Sequence, residues 1–148
     1  NKGQTLITPQ NRELYRLLSS REITVTPTAI EGDPKKWAQV AAKEFGATVL
    51  LKGNVTVIAS QESQIQLPAS PTWLATAGTG DVLAGILGAL IATQVVEIEK
   101  NSDILSSIAA TGSFIHARAA ELASAGGPIT AMDVAHSIPK VIAELLVK

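Results

Sequence analysis

Five consecutive residues, Ala77-Gly78-Thr79-Gly80-Asp81, have the types and spacing to handle an anion. Two glycines two apart let successive backbone N–H groups turn toward one point with no Cβ in the way. A helix starting at Asp81 would aim its unsatisfied N–H groups and its positive dipole end at the same place. Such a place suits an oxyanion that develops in a transition state. Asp81, a carboxylate at the helix start, is then placed to act as general base on a hydroxyl held there. The plainer alternative is a tight turn with Asp81 as a helix cap, since glycine turns before helices are common. The helix that follows is apolar on every face, which puts Asp81 over the core, where a solvent-facing cap has less to do.

A second candidate is Lys52-Gly53-Asn54, a turn between two apolar strands. A lysine there either meets a phosphate as a point charge or is a solvated hairpin residue, and the residues alone leave both readings open. His116 has no second histidine or carboxylate at ligand spacing, so it reads as a packed or partly exposed helix residue rather than a metal ligand. His136, Glu121 and Glu144 read as surface positions. Trp73 either walls a pocket or packs in the core. No metal motif and no Ser–His–Asp arrangement is present, so no metal site is expected within the protein's own side chains.

The elements that must position these residues follow from periodicity and punctuation. Thr5-Leu6-Ile7 reads as a short strand stopped by Thr8-Pro9, and Asn11 as the cap of a helix carrying Leu14, Leu17 and Leu18. Residues 19–32 read as a loop with at most a short strand at Ile23 to Val25. Asp33-Pro34 starts a helix that Gly46 ends. Thr48 to Leu51 and Val55 to Ala59 are buried strands, and Gln64 to Leu67 alternates as a half-exposed strand does. Pro68 to Thr72 reads as a loop. A buried helix then runs from Asp81 to about Thr93, and a long amphipathic one capped by Ser102 ends at Gly126-Gly127. Thr130 and Asp133 form a capping box, and Pro139 divides the last region into two short helices, the second capped by Ser137.

Composition narrows the class. Hydrophobic residues make up 46% of the 148 and aromatics only 3%, so the core is aliphatic, which suits helices packed on a mostly parallel sheet. A net charge of -1 gives no electrostatic footprint for nucleic acid or a membrane surface. The absence of cysteine excludes disulfides and thiolate metal sites and fits a cytoplasmic protein. The longest apolar run, Val82 to Val96, is about 15 residues against the ~20 that span a bilayer.

Several of these segments together resemble one family. Trp73 to Gly85, reading W-L-A-T-A-G-T-G-D-V-L-A-G, closely resembles the signature of the NAD(P)H-hydrate dehydratases, members of the ribokinase-like superfamily. Leu50 to Ile58 resembles that family's hairpin, and Pro128 to Val134 followed by Ile138-Pro139 resembles its C-terminal helix entry. His116 falls where the family also tends to place a histidine. The resemblance runs from about Thr5 to Leu146. It implies the C-terminal half of a ribokinase-like three-layer sandwich, a mostly parallel sheet flanked by helices, with residues 1–148 forming one partial catalytic domain.

By the same resemblance, Lys52, Gly53, Asn54, Val55, Thr56 and Gly80 contact a nucleotide. Ala77, Gly78, Thr79 and Gly80 form the anion hole, and Asp81 is the catalytic base against the substrate hydroxyl. The implied activity is repair of hydrated NADH or NADPH: phosphoryl transfer from ADP, or ATP, to the ring hydroxyl with magnesium on the nucleotide, then elimination of phosphate. Two alternatives share the site, a small-molecule kinase of the hydroxyethylthiazole-kinase type and a non-catalytic nucleotide-binding fragment. The chain departs from the family at Gln10, where a substrate-contacting histidine is usual; Gln10 can still donate and accept hydrogen bonds. The family domain is also nearly twice as long, with a first half that has no counterpart before Asn1. The expectation is therefore a homo-oligomer or part of a longer chain, incomplete as an enzyme by itself.

Overall fold

The computed structural model describes residues 4–147. Its first strand, β1 (Leu6–Ile7), leads into α1 (Asn11–Ser19). The cap of α1 is Gln10 rather than Asn11, because Glu13 reaches back to accept the Gln10 N–H at 2.7 Å and Asn11 is already helical. Residues 19–32 are not a plain loop. A short helix, α2 (Pro27–Gly32), forms because Thr26 Oγ1 accepts the Ala29 N–H at 3.1 Å, Pro27 suits the first turn, and Ile30 gains complete burial. Then α3 (Pro34–Phe45) starts on the Asp33 carboxylate, which accepts the Lys36 N–H at 3.1 Å, and ends at Gly46.

Two buried strands follow, β2 (Thr48–Leu51) and β3 (Val55–Ala59), and then β4 (Gln64–Ala69). The sheet order is β1-β2-β3-β4, with β1 parallel to β2 and the other two pairs antiparallel. The sheet is thus mixed rather than mostly parallel among the described residues. The tight turn at Gly53-Asn54 dictates this, since strands joined by so short a connection can only run antiparallel. β4 continues past Leu67 through Pro68 and Ala69, which an edge strand tolerates.

Alternate strand residues feed two cores. Val49, Leu51, Val57 and Ala59 pack with Leu14, Leu18, Ile30 and the alanines of α3 on one face. Leu50 and Ile58 point to the other, against Leu83, Leu87 and Ala109. Helices on both faces explain why β2 and β3 read as near-continuous apolar runs.

Those partners belong to the second half of the chain. A 3-10 turn (Thr72–Ala75) precedes α4 (Thr79–Thr93), followed by α5 (Val95–Lys100), α6 (Asp103–Ser124) and α7 (Ala131–Leu146). α4 is not buried on every face. Leu83 and Leu87 are buried, whereas Asp81, Ala84, Gly85, Gly88, Ala89 and Ala92 form an exposed stripe. The start of α6 is served by Asn101, whose Oδ1 accepts the Asp103 N–H at 3.0 Å, and Ser102 makes no side-chain cap bond.

α7 is one continuous helix despite Pro139, because Val134 and Val141, on either side of the proline, are both fully buried in one cluster with α6. Packing on both sides outweighs the one backbone bond the proline removes. Ser137 does not cap a second helix; its hydroxyl donates back to Asp133 C=O at 2.9 Å. The Thr130–Asp133 capping box is present, with Thr130 N–H on Asp133 Oδ2 at 2.8 Å and Asp133 N–H on Thr130 Oγ1 at 3.2 Å. Glu121 and Glu144 lie exposed and share Arg118, and His136 is exposed. Among the described residues no helix is long and apolar enough to cross a membrane.

Candidate active site

The two candidate segments meet because the end of β2 and the start of α4 face one another. Lys52 follows β2, and its N–H donates to Pro9 C=O at 2.8 Å, a bridge that also brings Gln10 alongside. The start of α4 faces it: a Cβ added to Gly80 would lie 3.6 Å from Lys52 Nζ. Between them is a cleft of about 520 Å³. Gln10, Asn11 and Arg12 line one side of it, and Lys52, Gly53, Asn54 and Thr56 another. Ser70, Pro71, Thr72, Leu74 and Ala75, the α4 residues Thr79, Gly80 and Leu83, and the α6 residues Ser113 and His116 complete the wall.

Gly78 is the residue the turn into α4 requires. Its φ of +86° lies in the left-handed region, which strains any side chain, and an added Cβ would also crowd Ala131 Cβ at 3.1 Å. The next residue is anchored from three sides. The buried Thr79 hydroxyl lies 2.7 Å from Leu74 C=O and 2.9 Å from Thr76 C=O, and shares its proton between them. Its carbonyl accepts from His116 Nε2 at 2.8 Å. A carbonyl only accepts, so Nε2 carries the hydrogen and the tautomer is fixed. Burial pushes the His116 pKa below its ordinary value; the bond to Thr79 opposes this and the Lys52 ammonium reinforces it.

The N–H groups at this turn are unequally committed. Thr79 N–H donates to Thr76 C=O, and Asp81 and Val82 N–H both donate to Gly78 C=O. Gly80 N–H alone of these four donates to no acceptor among the described residues. Beside it stands an ammonium that is barely neutralised. Lys52 Nζ is 4.0 Å from Glu13 Oε2, the limit of an ion pair, while that same oxygen already accepts the Gln10 N–H. An uncommitted backbone donor, a cation and a helix N-terminus around one cleft make an anion site.

Of the expected site residues, Gln10, Lys52, Gly53, Asn54, Thr56, Thr79 and Gly80 share this cleft. Val55, Ala77, Gly78 and Asp81 do not line it. Asp81 stands next to Gly80 on the first turn of α4, exposed rather than over the core, so the argument from an all-buried helix fails. The capping alternative fails too, because Gly78 holds the N-cap position and Asp81 accepts no backbone N–H among the described residues. Trp73 neither lines the cleft nor packs in the core; it is 42% exposed. Arg12 and Ser113 belong to the cleft although nothing in their local sequence marks them, and His116, singled out only by the family resemblance, joins them. Among the described residues no group of three or more His, Asp, Glu or Cys is placed to hold a metal ion.

Comparison with known proteins places this geometry in context. A protein-family model described as NAD(P)H-hydrate dehydratase matches residues 1–142. The bifunctional NAD(P)H-hydrate repair enzyme Nnr of Mycobacterium leprae is 44% identical over 123 residues, covering 82% of this chain and 22% of that protein. The ADP/ATP-dependent NAD(P)H-hydrate dehydratase of Bacillus subtilis, co-crystallised with ATP/Mg2+, superposes with a TM-score of 0.80 at 22% identity, over 97% of this chain and 49% of that one. A ribokinase-like superfamily protein of Enterococcus faecalis gives 0.73 at 20% identity, over 94% and 44%. The fold is therefore ribokinase-like, with a mixed sheet, and the chain spans half or less of the length of these relatives.

Proposed function

As the chain belongs to the NAD(P)H-hydrate dehydratase family, we propose that it takes part in dehydrating hydrated NADH or NADPH with ADP or ATP as phosphoryl donor. The observation that carries this reading is the uncommitted Gly80 N–H beside Lys52 Nζ in one cleft. The fit to a nucleotide's phosphates rests on that donor set, with Lys52 as point charge, Gly80 N–H as directed donor, and Gly53, Asn54 and Thr56 along the chain that leads there. The side chains do not by themselves assemble a metal centre, so magnesium would enter on the nucleotide phosphates, where it neutralises charge.

In this reading Asp81 takes the proton of the ring hydroxyl, which strengthens that oxygen as nucleophile toward the terminal phosphoryl group. Gly80 N–H and Lys52 hold the charge that builds on the transferring phosphoryl oxygens. Phosphate then leaves with the C–O electron pair as the ring nitrogen donates its own pair to form an iminium, and loss of a proton from the adjacent ring carbon to water restores the dihydronicotinamide. Exposure of Asp81 is compatible with this role, since a base that accepts a proton from a bound substrate must reach the surface the substrate occupies. Gln10, alongside Lys52 in the same cleft, supplies a polar contact to the substrate.

The test is to incubate the chain, within a full-length family domain, with hydrated NADH, ADP and magnesium, following NADH absorbance and free phosphate. Recovery of NADH with release of phosphate is expected, and Asp81→Asn should lower the rate ~10²–10⁴-fold while leaving ADP binding intact. A stable phosphorylated product would instead mark a kinase. Nearly full activity in Asp81→Asn would remove Asp81 from the chemistry.

A further inference from the structure

The bond from His116 to Thr79 is unusual in what it fixes. It links α6 to the first residue of α4 across 37 positions, it is buried, and its acceptor is the carbonyl of the Thr79–Gly80 peptide unit. That unit is planar and trans, so its C=O and its N–H point in opposite directions as one rigid body. The N–H on its other side belongs to Gly80 and, unlike those of Thr79, Asp81 and Val82, has no acceptor among the described residues. Thr79's hydroxyl bonds to Leu74 and Thr76 hold the residue, the helix ladder of α4 takes its carbonyl from the C-terminal side, and the His116 bond adds a tertiary hold on the same peptide plane. Glycine at position 80 gives that plane more freedom than any other residue would.

We infer that His116 is a positioning residue: its Nε2–H holds the Thr79 carbonyl and thereby fixes the direction of the Gly80 N–H, the donor offered to the anion. His116 touches neither reacting atom in this account; it acts through the peptide. Two features separate this from a buried histidine that has merely found a partner. The partner is the one carbonyl whose orientation sets the uncommitted donor. The ring also lines the same cleft as Gly80 and Lys52, so the bond sits where the ligand would arrive.

The kinetic part of the inference rests on the dehydratase reading; the spectroscopic part does not. In the wild-type chain, long-range 15N spectra should show His116 protonated at Nε2, and an Nδ1–H tautomer would overturn the inference. His116→Gln can place an amide N–H near the Nε2 position, whereas His116→Asn places one nearer Nδ1, and His116→Ala places none. Gln should keep the Gly80 amide shift and its response to titrated ADP close to wild type. Asn and Ala should move the Gly80 amide and blunt that response. With turnover measured, Asn and Ala should lower kcat by on the order of 10²-fold, the cost of misplacing a catalytic group, with the KM for hydrated NADH little changed. Gln should recover most of the loss. An unmoved Gly80 amide in Asn and Ala would overturn the inference, as would Gln behaving like Ala. If His116→Ala does not fold, the Gln–Asn pair alone decides. If hydrated NADH is not turned over even with this chain inside a full-length family domain, the dehydratase reading fails while the Gly80 amide still judges His116.

Discussion

The β2–β3 pair and α4 are both apolar stretches, and they are buried to very different extents. From Thr56 to Ala59, and throughout Thr48 to Leu51, every residue is buried, because helices cover both faces of the sheet. α4 has the more uniformly hydrophobic sequence, yet one whole face of it is exposed. The difference lies in side-chain size. Its large residues, Leu83 and Leu87, turn inward, and beyond Asp81 the exposed stripe is alanine and glycine, which offer little apolar area to water. Hydropathy averaged over a segment therefore reports what a segment is made of, whereas burial depends on what stands opposite each face. The site is built where these two unlike regions meet: Lys52 is held by the sheet ladder, and Gly80 by the anchors around Thr79.

The comparison is broken most severely from the strand side. Ile58 has no exposed surface and packs against Leu50, Leu83, Leu87 and Ala109. Ile58→Ala should cost about 2–5 kcal/mol, read from denaturant unfolding, and a loss below ~1 kcal/mol would show that this face of the sheet is loosely packed.

An intermediate effect is expected at the tether. His116 is held below its ordinary pKa of 6.5, chiefly by burial, so the unfolded chain binds a proton that the folded chain does not. The stability this gives is complete above the ordinary value and is lost as pH falls below it toward the folded value. Melting temperature should drop with acidification in that window, and His116→Gln should flatten the drop. Lys52 adds a smaller depression, so Lys52→Ala should narrow the window by raising its lower, folded-state end. Asp133, whose pKa the Thr130 backbone N–H lowers, acts separately at more acid pH. A profile unaltered by His116→Gln would mean that the ring titrates alike in both states.

The smallest effect, and the one of opposite sign, belongs to the exposed stripe. A Cβ at Gly88 would meet nothing within 4 Å. Gly88→Ala should therefore stabilise the chain by about 0.5–1 kcal/mol through backbone entropy alone. Destabilisation instead would mean that something covers this face in solution.

Much of this was legible in the residues because the signals are local. Asp33-Pro34, Gly46, the Thr130–Asp133 box and the Gly78-Thr79-Gly80-Asp81 turn each carry their reason within a few positions. The misreadings came from tertiary context. Nothing near Pro27 announces that Ile30 will find a buried place, and nothing near Pro139 says that Val134 and Val141 will hold both halves of α7 on one neighbour. The bond between His116 and Thr79 has no signature at all, since its partners are 37 residues apart and one of them is a backbone carbonyl. The same limit applies to Asp81, whose exposure depends on what stands opposite α4 and not on the residues around it.

The central claim is that Lys52 and Gly80 face the phosphates of a nucleotide, and calorimetry on one variant tests it most directly. ADP and adenosine are titrated into the wild-type chain and into Lys52→Ala. A charge-assisted contact is worth about 1.5–3 kcal/mol, so ADP should bind the variant ~10–10²-fold more weakly while adenosine binds both alike. Equal weakening of the two ligands, or no weakening of ADP, would contradict the account.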